Sequence, residues 1–128
     1  MDSWQFMDYI SLSGRNPITD WYADLLPQEQ SDFDTLIRIL AKTQKWQSSE
    51  FKLLRGKSYA GLGEFRFKSA GKQHRVIGFY GPGQKQFTLL IGCTHKQNIY
   101  SPPRALETAA RRKREVESGT AGVQIHDV

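Results

Sequence analysis

Cysteine is scarce in this chain, with Cys93 standing alone among 128 residues. One thiol excludes an internal disulfide and any zinc cluster built on cysteines. Long apolar runs are missing as well: the stretch Phe87 to Cys93 falls far short of the roughly 20 residues that a membrane helix needs. There are no internal repeats and no low-complexity stretch. The three histidines are dispersed, without a carboxylate–histidine pairing at ligand spacing, so neither a metal nor a cofactor is expected. Gly61-Leu62-Gly63 is too short for a phosphate-cradling loop and leads into a strand rather than a helix. The first residues, with Asp2, Trp4 and Phe6, lack the basic start and apolar stretch of a secretory signal. A cytoplasmic home, away from membranes, is the resulting expectation.

What the chain does carry is an uneven charge. Residues 1–50 hold four basic and eight acidic side chains, whereas residues 51–128 hold fourteen and five. The second part is therefore strongly cationic, and such a field attracts polyanions, of which nucleic acid is the commonest in a cell. At 14.7 kDa the chain has the size of one compact domain.

Pattern and punctuation predict the elements. Residues 4–10 read as a first strand with imperfect alternation. Asn16 is a capping residue and Pro17 suits the first helical position, where its missing N–H costs nothing. Ile18, Trp21, Tyr22, Leu25 and Leu26 then form one apolar stripe, which Pro27 ends. Phe33, Leu36, Ile37, Leu40 and Ala41 repeat the spacing in a second helix. Glu64 to Lys68 alternates strictly, Ser69 to Lys72 is a turn, and residues 73–80 form the next strand. Gly81-Pro82-Gly83-Gln84 turns the chain into Phe87–Thr94, apolar on both faces and so placed in the middle of a sheet. Ser101-Pro102-Pro103 is read as the start of a last helix with a capping serine. The expected fold is α+β: an antiparallel sheet of about four strands, with an N-terminal helical hairpin and a C-terminal helix packed on one face. The domain would span residues 1–118, and residues 119–128 would be a flexible tail.

Chemistry is sought on the other sheet face. Glu64, Arg66 and Lys68 point the same way, about 7 Å apart from neighbour to neighbour, a spacing close to that of phosphates along a nucleic acid strand. Solvated sheet faces also carry such residues as a matter of course. In a hairpin, Arg75 lies near Arg66 or Lys68. Gathered cations repel unless an anion binds them, and that anion is either a ligand or Glu64. Past the central strand, His95 can exchange protons near neutral pH, Lys96 can hold a phosphate and Tyr100 offers a ring for a base to stack on. His74 is a weaker candidate because its face reads as buried. Arg111 to Arg114 is the densest basic run; spread around a helix, the four cannot all face one ligand, so most of them read as a solvated face that can still steer a polyanion.

The stretch from Leu54 to Arg66, with a leucine–x–glycine turn and then Glu64-x-Arg66, resembles the RelE/HigB toxin superfamily, in particular its phage-derived HigB-like members. His74-Arg75-Val76-Ile77, Phe87 to Cys93, His95-Lys96 and Pro102 to Ala109 continue the resemblance, which runs from about residue 6 to 117. It implies a RelE-like fold and a metal-independent endoribonuclease that cuts messenger RNA, often on the ribosome. Such a toxin is held inactive by a cognate antitoxin, a helix-turn-helix protein encoded next to it. The resemblance assigns catalysis to Arg66, Lys68, Arg75 and His95. The two arginines would stabilise the transition state, and Lys68 or His95 would move protons. Lys57, Lys96, Tyr100, Arg104, Arg111 and Arg112 would bind RNA. The sequence departs from the family pattern at Glu64, where some members place lysine. It also lacks a clean terminal cluster of aromatic residues or histidines. The competing expectation is a non-catalytic module that binds RNA or a protein partner.

Overall fold

A computed structural model describes residues 2–127; Met1 and Val128, the ends of the expected domain and tail, lie outside them. Its strands are β1 (Gln5–Ile10), β2 (Phe51–Leu53), β3 (Leu62–Ser69), β4 (Lys72–Tyr80), β5 (Gln86–Lys96), β6 (Ile99–Ser101) and β7 (Gly122–Ile125). The helices are α1 (Pro17–Ala23), α2 (Pro27–Ala41) and α3 (Ala105–Glu117).

The strands form one seven-stranded sheet in the order β2-β3-β4-β5-β1-β7, with β6 also paired to β5. This overturns the expected antiparallel sheet of about four strands and the RelE-like arrangement built on it. The sheet is mixed because β1 runs parallel to β5, Phe6 opposite Phe87 and Asp8 opposite Leu89. The imperfect alternation of residues 4–10 has the same cause. Phe6, Met7, Asp8 and Tyr9 are all buried, as a strand covered on both faces requires.

The tail is also corrected. Residues 122–125 pair with β1, Met7 opposite Ile125 and Ile10 opposite Gly122. The His126 imidazole then locks the end of the chain, its Nδ1 lying 2.8 Å from Asp8 Oδ1. Asn16 donates to the other oxygen of Asp8 at 2.9 Å, and its own Oδ1 accepts from the Thr19 N–H. One asparagine thus caps α1 and ties it to the sheet.

Helices cover both layers rather than one. On the first, α1 and α2 bury Ile18, Phe33 and Ile37 against Phe6, Phe65 and Phe87. The two helices touch through Trp21 and Phe33, edge to face at 5.1 Å, but each lays its stripe on the sheet rather than on a hairpin partner. Gly92 makes this possible, since a Cβ there would run into the Trp21 indole. On the second layer, α3 packs Ala105 and Ala109 onto Leu62, Ile77, Phe79 and Ile91. Small alanines let the helix approach closely. A register shift between Ile77 and Gly78 turns both Leu90 and Ile91 toward it. Ser101 is not the cap of this helix: it still pairs with Thr94 in β6, and α3 opens after Arg104 without a side-chain cap.

Candidate functional site

Register decides which candidate residues meet. Glu64 stands opposite Ile77, which stands opposite Ile91; one step on, Arg66 faces Arg75 and Arg75 faces Cys93. His95 then faces Tyr100 across β5 and β6. Because strand residues two apart share a face, all of these project into the layer of α3, along the sheet from its contact with Ile77 and Ile91. The sequence-predicted Arg66, Arg75, His95 and Tyr100 are brought together. Lys68 lies on the same face, one step further out and exposed.

What they surround is a carboxylate. Glu64 is 4% exposed. Arg66 donates to Glu64 Oε1 through Nε at 3.3 Å and Nη2 at 3.1 Å, and Arg75 Nε lies 3.9 Å from the same oxygen. Tyr100 donates its hydroxyl to Glu64 Oε2 at 2.7 Å, having crossed the face from the far side of β5 and β4. Both oxygens of a buried carboxylate are thus held by charge-assisted bonds, the condition under which burying charge is tolerable. Of the two anions left open for this cationic pair, the structure shows Glu64: Arg75 stands opposite Arg66 and approaches its carboxylate. The Arg66 side chain keeps 34% exposure and Arg75 only 11%. Arg66 is therefore the more accessible of the two from solvent.

The surroundings tune the protons. Burial raises the Tyr100 pKa, and the hydrogen bond to Glu64 and its charge raise it further, so the phenol stays a donor at neutral pH. Cys93, beneath this cluster, has its thiol pushed up to about 12 by burial first and the Glu64 charge second. It is a packing residue rather than a nucleophile. The His95 ring is half-buried, tilted against Tyr100 at 4.7 Å between centroids. Among the described residues it is the one imidazole on this face. His74 points into the opposite layer, where its Nε2 lies 2.7 Å from the Glu29 carboxylate and its ring stacks on Phe67.

The remaining cations divide. Lys96 and Arg104 are exposed near the rim, on β5 and at the start of α3. Lys57 sits on a short 3-10 turn beside Lys113 and Arg114 of α3, around a cleft of about 230 Å³. Arg111 is exposed but paired with Glu115 at 3.3 Å. Arg112 belongs to the fold: it donates to the Leu90 carbonyl at 2.7 Å and covers the Tyr9 ring at 5.3 Å. Sequence reasoning placed Glu64 on the right face but missed that it organises the site. Its alternation with Arg66 was the available signal; the reach of Tyr100 had none.

No family model matches the chain, and no curated protein or solved structure matches it. No helix among the described residues is long and apolar enough to cross a membrane. The site must be read from its own chemistry.

Proposed function

We propose that this chain is an endoribonuclease acting on messenger RNA, the toxin of a toxin–antitoxin pair that arrests translation at the ribosome. One observation carries the reading: Arg66 and Arg75 are direct cross-strand partners on one face, with His95 and Tyr100 beside them. Two guanidiniums at adjacent positions present paired N–H donors to a phosphate as it gains charge. The reaction is attack of a ribose 2′-hydroxyl on the neighbouring phosphorus, leaving a cyclic phosphate on one fragment and a hydroxyl on the other. Arg66 and Arg75 stabilise the pentacoordinate phosphate. His95, half-exposed and flanked by the exposed Lys96, exchanges protons with the attacking or leaving oxygen. Lys68 adds charge at the outer end. The Tyr100 ring gives a base a surface to lie on, its hydroxyl being committed to Glu64. None of these roles calls on a metal ion.

Glu64 favours a second reading. Its charge already occupies the arginines, which suits a module that binds RNA loosely without cutting it. Induced expression separates the two. Wild type should arrest growth, and Arg75→Ala should relieve the arrest while the protein accumulates to the same level. Growth unaffected by strong induction, with salt-dependent RNA binding intact, would favour the binding module. The toxin reading also expects an adjacent gene encoding a helix-turn-helix antitoxin that restores growth.

A further inference from the structure

The layer opposite the arginines carries a feature that RNA cleavage does not use. Residues 42–50 leave α2 and fold over the sheet, and Trp46 closes on Phe51, Phe65 and Phe87 at 4.9–5.3 Å between ring centroids. Trp4 and Tyr80 pack on it at 5.1–5.5 Å. Both indole N–H groups are already engaged, Trp4 donating to the Gln44 carbonyl and Trp46 to the Leu40 carbonyl. Outside these rings lies an open groove of about 700 Å³, bounded by Leu53 of the edge strand β2. Leu53 is 55% exposed and Tyr80 44%. Large apolar side chains gathered in one place on a surface mark a contact site rather than scattered exposure.

Charge identifies the occupant. The charged residues lining the groove are Lys45 and Lys52. Trp4 is a ridge shared with an adjoining cleft of about 550 Å³, where Arg38, Lys42 and Lys85 outnumber Asp2. An apolar trough thus runs into a basic one. We infer that this surface docks a segment of a partner polypeptide in which bulky apolar side chains alternate with, or precede, carboxylates, laid beside the open edge of β2. Edge strands accept such additions through their unpaired backbone, with pockets for alternate side chains supplying selectivity. RNA fits less well: the Trp46 and Tyr80 rings lie nearly parallel, 15° apart, so each spends a face on the other instead of on a base. The docking stands independently of the nuclease reading, because Phe65 and Arg66 point to opposite layers.

The test titrates the full chain with a peptide of about ten residues alternating leucine or phenylalanine with glutamate, a length suited to one added strand. Its lysine-for-glutamate counterpart and an oligouridylate are the controls, and tryptophan emission is the readout. The acidic peptide should bind and shift the emission, and the basic peptide should not. Lys42→Glu with Lys45→Glu, both at exposed positions, should weaken binding about tenfold or more, and Leu53→Asp should abolish it. Oligouridylate should leave the peptide affinity unchanged. Absence of acidic-peptide binding, equal binding by the variants, or displacement by oligouridylate would overturn the inference. So would sedimentation showing a dimer of this chain that the peptide cannot dissociate, since the occupant would then be a second copy.

Discussion

Arg66 and Arg75 are opposite one another in the β3–β4 ladder and share a single oxygen, Glu64 Oε1, at 3.1 and 3.9 Å. Like charges directly opposite destabilise a sheet unless something lies between them. Glu64 is that something, and under the proposed function a phosphate would compete for the same donors.

Replacing Glu64 by glutamine separates these roles. The isosteric amide loses the charge, leaving two cations with an uncompensated neighbour. Glu64→Gln should cost about 1–3 kcal/mol of folding stability. It should also tighten binding to an RNA oligonucleotide and steepen its loss with salt, because both guanidiniums are released. Denaturant melts and a salt titration check both parts. An unchanged RNA affinity would mean that the arginines do not meet phosphate.

The last residues are structural. Deleting residues 119–128 removes β7 and takes from buried Asp8 its His126 partner. The truncated chain should lose about 2–4 kcal/mol, since a buried carboxylate loses a charge-assisted bond and β1 becomes an open edge. A thermal melt that matched the full chain would show the strand to be dispensable.

Glu29 supplies a pH dependence. The Leu26 backbone N–H, donating at 2.8 Å, holds its carboxyl below the ordinary value of 4.5 against the opposing effect of burial, with the neighbouring His74 assisting. A carboxyl depressed in the folded state contributes stability above its unfolded pKa and loses it as pH falls through the folded one. Stability should therefore decline below about pH 4.5, and Glu29→Gln should flatten that decline while lowering stability at pH 7. Parallel acid limbs for the two proteins would contradict it.

Cys93 should be inert. Its thiol, 2% exposed and pushed up to about 12, should resist an aromatic disulfide reagent at neutral pH and react fully once the protein is denatured. Prompt reaction of the native protein would show that the face around Arg75 opens.

The local parts of this fold were legible in the sequence because local chemistry dictates them. Asn16-Pro17 starts a helix wherever it lies, the Glu64–Lys68 alternation makes a two-faced strand, and an apolar β5 must be central. The pairing of β1 with β5 joins residues about 80 positions apart, and no local pattern encodes it. Nothing in Gly122-Val123-Gln124-Ile125 marks a strand until β1 offers an edge. The second helical layer was missed for a related reason: the alanines of α3 state that something packs closely, not on which side. At the site, the two-residue period placed Arg66, and hairpin register brought Arg75 to it. The hold of Tyr100 on Glu64 depends on a side chain crossing two strands, which sequence spacing cannot show.

The most direct measurement incubates purified chain with a labelled single-stranded RNA, alone and on translating ribosomes, and maps the product ends. Wild type should cut to a 2′,3′-cyclic phosphate and a 5′-hydroxyl, whereas Arg66→Ala and Arg75→Ala should each be slower by about 10²–10³-fold. Intact RNA in both settings, or cleavage at equal rates by both variants, would contradict the account.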